Sequence, residues 1–167
     1  FDAAVAWLGA APDDFIGSAA FVVSGADLSA GFDRAVFERL LSLGYDVQIV
    51  TGMESNDGVF TVADAESKDL LVFSESIGSG QAVPLAGAAV PILHMESWGW
   101  NKMGWTQSAG RGWVDVLGDI DIAPVGHTIL TKAGLSAGSL GFFTLDTIDA
   151  TGIWPSSLPA GATILAS

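Results

Sequence analysis

Four short apolar runs, each followed by a polar or glycine-bearing stretch, constrain this chain more than any other feature. Residues 19–24 (AAFVVS), 47–51 (VQIVT), 70–74 (LLVFS) and 90–95 (VPILHM) are nearly continuous in apolar side chains. A strand alternating apolar and polar residues leaves one face in water, whereas a run without alternation must be buried on both faces. Helical spacing separates the first two runs: Phe32, Val36, Leu40 and Leu43 fall on one side, and Asp33, Arg34, Glu38 and Arg39 fall mostly on the other. Gly44 then suits the left-handed position that ends such a helix. Thr61 and Asp64 have the spacing of a capping box, so a short helix is expected over 61–67, whereas 52–58 reads as a loop. Residues 76–87 are glycine-rich and only loosely helical. Strands alternating with helical segments predict an α/β fold with an open, largely parallel sheet. Right-handed crossovers put the intervening segments on both faces.

Beyond Glu96 the texture changes. Residues 97–113 hold Trp98, Trp100, Trp105 and Trp113 among Gly and Asn, which predicts an irregular segment. Residues 113–122, 140–148 and 162–165 read as additional C-terminal strands. The expected organisation is an N-terminal linker or packing segment over 1–18 and one α/β domain over 19–167. Residues 1–18 lack the basic start of a signal peptide, as a mature chain or a fragment of a longer one would.

The charge is lopsided. Six Lys and Arg against nineteen Asp and Glu give a formal net charge of −13. Nucleic acid and anionic membrane surfaces both select a basic footprint, so neither is an expected partner. No apolar run approaches the roughly 18 residues of a membrane span. The chain has no Cys, which excludes thiol nucleophiles, disulfides and thiolate zinc sites.

Several of these segments resemble the ThuA-like domains of the class I glutamine amidotransferase-like superfamily, whose architecture is flavodoxin-like. The likeness is carried by the strand–loop–helix–strand from Phe21 to Val50, with its Leu43-Gly44-Tyr45 helix end, and by the strand at Asp69-Leu70-Leu71-Val72. Further on it includes Val90-Pro91-Ile92-Leu93-His94 with Trp98, Met103-Gly104 and Trp105, and Gly126-His127-Thr128-Ile129-Leu130 with Gly134-Leu135. Thr128 stands where the family usually has Pro. Such domains also occur inside secreted bacterial proteins, and usually continue with another strand. The resemblance therefore implies a chain that is trimmed, or a sheet completed by another chain. The superfamily's amidotransferases use a Cys nucleophile, and neither Ser74 nor Ser76 lies in a Gly-x-Ser-x-Gly elbow. Glutaminase chemistry in its usual form is excluded.

Ligands of open parallel sheets bind beyond the carboxyl ends of the strands. Ser24, Gly25, Asp27, Thr51, Glu54, Ser74, Glu75, Ser76, His94, Glu96 and Ser97 are placed there. As a catalytic set they offer Glu75 or Glu96 as general base, with Glu96 and His127 as the acid–base pair of a carbohydrate-active enzyme. As a structural set the same hydroxyls and carboxylates cap helices and cover the sheet end. His94, ending an apolar strand, reads as a core residue. The four tryptophans read as a ligand or interface surface, or as a small core over one end of the sheet. No metal site is supported by the spacing of the two histidines, and Asp119/Asp121 and Asp146/Asp149 read as solvated acids. Neither Gly78-Ser79-Gly80 nor residues 25–31 form a phosphate loop, so no cofactor is expected. The leading expectation is a non-catalytic binding or assembly domain of a secreted or cell-surface protein, with other subunits or domains as partners. The carbohydrate-active enzyme is the alternative.

Overall fold

In the computed structural model, residues 15–28 and 31–106 are described in full, together with the strand segments 111–116, 119–122, 138–141 and 148–153. The chain divides into two units, Phe1–Met103 and Gly104–Ser167.

In the first unit the order is β1 (Gly17–Val23), α1 (Phe32–Ser42), β2 (Tyr45–Thr51), α2 (Gly52–Asn56), α3 (Val62–Glu66), β3 (Leu70–Phe73) and β4 (Ile92–His94). One-turn 3-10 helices cover Val83–Leu85 and Ser97–Gly99. The strands form one four-stranded sheet in the order β2-β1-β3-β4, and every pairing is parallel. The fold is therefore α/β with a parallel sheet flanked by helices, as the apolar runs predict.

The central strand shows why those runs do not alternate. Ala19, Ala20, Phe21, Val22 and Val23 are all completely buried. In register, Phe21 lies between Ile49 and Val72, and Val22 between Val50 and Phe73, so successive residues feed two separate cores. On one face Phe21, Val23, Val47 and Val72 pack with Leu40 of α1, joined by Val36 and Phe37. On the other face, right-handed crossovers place α2, α3 and the 3-10 turn at Val83–Leu85, where Val22, Leu71 and Phe73 are equally buried. β2, at the sheet edge, is covered less than β1: Val47 and Val50 are buried on opposite faces, whereas Asp46 and Gln48 are exposed.

Gly44 ends α1 with φ of 87°, the left-handed conformation expected of it. The expected loop at 52–58 is instead helical over its first five residues. Thr51 Oγ1 accepts the Glu54 N–H at 3.2 Å, and Glu54 Oε2 accepts the Thr51 N–H at 2.6 Å. This is the same reciprocal cap that Thr61 and Asp64 make for α3. Both carboxyls are held below their ordinary pKa, Glu54 first by the backbone N–H of Thr51 and Asp64 first by the hydroxyl of Thr61. Thr51→Ala is expected to lower the unfolding free energy by about 1 kcal/mol, read from the urea midpoint. An unchanged midpoint would mean that packing alone holds α2.

In the second unit, β5 (Arg111–Val116) pairs antiparallel with β8 (Ile148–Ile153), and β6 (Asp119–Ile122) pairs antiparallel with β7 (Gly138–Gly141). The single strand expected over 113–122 is thus two strands with different partners. The one expected over 140–148 is the end of β7 and the start of β8. The expected strand at 162–165 lies outside the described residues.

Candidate functional site

The strand order fixes where a site could form. The chain leaves β1 for β2 on one side, then returns past β1 to β3 on the other. The carboxyl ends of β1 and β3 are thus a topological switch point, the place where α/β sheets open a crevice.

Here side chains from three segments bond to one another across the switch point. Ser74, the first residue after β3, is completely buried and donates its hydroxyl to Oδ1 of Asp33, in the first turn of α1. Ser76 donates to Oδ2 of the same carboxylate at 2.6 Å. The Ser76 N–H donates to Ser74 Oγ at 3.0 Å, and the Ser24 N–H, just past β1, donates to Ser76 Oγ at 3.1 Å. A serine hydroxyl has one proton to give, and both are committed to Asp33. The carboxylate also lies where the α1 dipole favours negative charge, in a helix whose Gly31 cap supplies no side-chain bond. The result is a clamp joining β1, α1 and the loop after β3. Sequence reasoning placed Ser24, Ser74 and Ser76 at this end but set Asp33 on the solvated side of α1. The available signal was an acid in a first turn that lacks a capping side chain.

The other residues predicted at the strand ends have separate settings. Glu75, between the two clamp serines, is exposed. Glu54 is held in its cap with Thr51. Glu96 is only 7% exposed, and its Oε1 accepts the Trp98 N–H at 2.6 Å, capping the 3-10 turn Ser97–Gly99. His127, its proposed catalytic partner, lies outside the described residues.

His94 ends β4 and is buried, with its ring centroid 4.9 Å from that of Phe73 at an interplanar angle of 39°. Burial pushes its pKa down to about 4, because the low-dielectric surroundings disfavour the imidazolium. The turn closes over it so tightly that a Cβ on Gly99 would lie 2.8 Å from the imidazole Cε1 and Nε2. Trp100 Nε1 donates to the His94 carbonyl at 3.1 Å.

The four tryptophans do not share one setting. Trp98 is 44% exposed, Trp100 is half-buried and bonded to β4, and Trp105 is half-buried in the second unit. Trp113 belongs to β5, opposite Thr151. A shallow groove of about 330 Å³ lies at the opposite, amino ends of the strands, lined by Phe15, Gly17, Ser18, Asp46 and Asp69. Its Asp69 carboxylate accepts both the N–H and the hydroxyl of Ser18, at 2.8 and 3.0 Å. Those bonds, the backbone one first, hold Asp69 below its ordinary pKa.

Among the described residues, no group of three or more His, Cys, Asp or Glu could hold a metal ion. No described helix is long and apolar enough to cross a membrane. Comparison with protein-family models, with curated proteins and with solved structures gives no match.

Proposed function

We propose that this chain is a non-catalytic binding or assembly domain of a secreted or cell-envelope protein, flavodoxin-like in arrangement, acting through protein–protein contacts. The observation that carries this reading is the open edge at β4. Among the described residues β4 has a strand neighbour on one side only. Leu93, level with the buried Val72, is 51% exposed, and Trp98 in the following turn is 44% exposed. Edge strands with exposed apolar side chains accept further strands or protein surfaces. Meanwhile the hydroxyls of Ser74 and Ser76 at the switch point are committed to Asp33.

The carbohydrate-active alternative, a ThuA-like site on Glu75, Glu96 and His127, has less support. The Glu96 carboxylate is buried and caps the Trp98 N–H, whereas Glu75 is exposed on the loop after β3.

Light scattering on the native particle tests the contact reading. Particles holding more than one copy of the chain, or the chain with a partner, are expected, with association weakened roughly 10- to 100-fold by Leu93→Asp. A monodisperse single-copy species with no partner from its natural source would overturn the reading.

A further inference from the structure

We infer that His94 and the turn folded over it form an acid-opened latch, in which protonation of the buried imidazole releases residues 95–103, with Trp98 and Trp100, from β4. This is a conformational property of the chain itself. It goes beyond the proposed contact role and does not depend on it.

The geometry gives the latch its parts. Short-range contacts hold the turn, among them the Glu96 carboxylate on the Trp98 N–H, the Trp100 indole on the His94 carbonyl, the Gly99 N–H on the Glu96 carbonyl at 3.0 Å, and the Met103 N–H on the Gly99 carbonyl at 3.0 Å. Gly99 sits directly over the imidazole, and the same Cβ position would lie 3.4 Å from the Ser79 carbonyl, so ring and carbonyl face the same side of Gly99. Phe73 closes the β3 side of the ring. At 7% exposure His94 has little contact with water while the turn is closed, so an imidazolium there would be poorly hydrated.

Among the described residues, the ionisable groups on the elements next to the ring are Glu96, Lys102 and Glu75. The turn carries Glu96, which is the sole acid in residues 95–103. Lys102 donates to Ser79 Oγ at 2.7 Å. Glu75, beyond Ser74 on the β3 side, is exposed. A charge formed on the ring reaches water only as the covering turn lifts, and Oε1 of Glu96 is part of what caps that turn.

The sign follows from linkage. The closed latch holds His94 near pKa 4, and an opened one returns it toward the ordinary 6.5. Opening therefore takes up a proton between these values. The opening equilibrium is flat above pH 6.5, rises by up to tenfold per unit below it, and saturates under pH 4, at about 300-fold in all. Between pH 7 and 5 the expected gain is roughly 20-fold. Glu54, Asp64 and Asp69 titrate below their ordinary 4.5, 3.8 and 3.8, so their contributions persist throughout that window.

Hydrogen exchange at pH 7 and 5, corrected for intrinsic rates, tests the latch on the intact chain. Peptides within 92–103 are expected to gain roughly 20-fold in opening at pH 5, while those from β2 do not change. His127→Asn should retain the effect and His94→Asn should lose it. The same pH ratio in His94→Asn as in the native chain, or equal loosening of β2, overturns the proposal. Should His94→Asn fail to fold, the native His94 can be titrated by NMR. A midpoint well below 6.5 supports the latch, and one near 6.5 with the sheet intact overturns it.

Discussion

Replacing Phe73 with alanine is expected to cost about 3–5 kcal/mol, a large share of the 5–15 kcal/mol that a typical domain possesses. Phe73 is completely buried, belongs to the strand that joins β1 to β4, and lies against His94. Its removal leaves a cavity between two strand neighbours that cannot move together without breaking their ladders. The measurement is the urea midpoint at constant slope. Leu93→Ala supplies the contrast, because Leu93 is half-exposed and its loss should fall within about 0.5 kcal/mol. Comparable losses at the two positions would mean that the β4 edge is covered in the intact molecule.

The second large effect belongs to Asp33. Asp33→Ala removes the acceptor of the Ser74 hydroxyl, and Ser74 has no exposure to water. A buried hydroxyl left without a partner costs about 1–3 kcal/mol, and loss of the charge in the first turn of α1 adds about 0.3–1 kcal/mol. The decisive measurement is the double-mutant cycle with Ser74→Ala. Removing both partners relieves the orphaned donor, so the two changes should couple by about 1–3 kcal/mol. Additivity within about 0.5 kcal/mol would show that the clamp is not an energetic unit.

These two residues mark how far the sequence could be read. Phe73 was legible, because a run such as Leu70-Leu71-Val72-Phe73 has no polar position to give to water and must be buried on both sides. The same logic located β1, β2, β4 and α1 to within a few residues. The cap of α3 was legible from Thr61 and Asp64, but the identical device at Thr51 and Glu54 was not. Gly52 and Gly58 flank that segment and carry the composition of a loop. The Asp33 clamp was only half legible. Chain order at a switch point brings Ser24 and Ser74 to the same end, but the bonds from Asp33 span 41 and 43 residues. No local pattern encodes a contact between a helix start and a loop that follows a different strand. The settings of Trp98 and Trp100 were less legible: one is exposed and the other half-buried, a difference made by a single turn that no local pattern encodes.

The position of β1 also has a consequence during synthesis. Its register partner in β3 begins with Leu70 opposite Ala19, so a strand emerging early waits for about 50 further residues before its second neighbour exists. At translation rates of about 5–20 residues per second, that wait lasts roughly 3–10 s. The β1–α1–β2 unit can form in the meantime, but one side of an entirely apolar strand stays unpaired on the nascent chain. The most buried element of the finished protein is thus its most adhesive one while it is being made. Anything that slows translation between β2 and β3 should lower the yield of folded protein without touching its final stability.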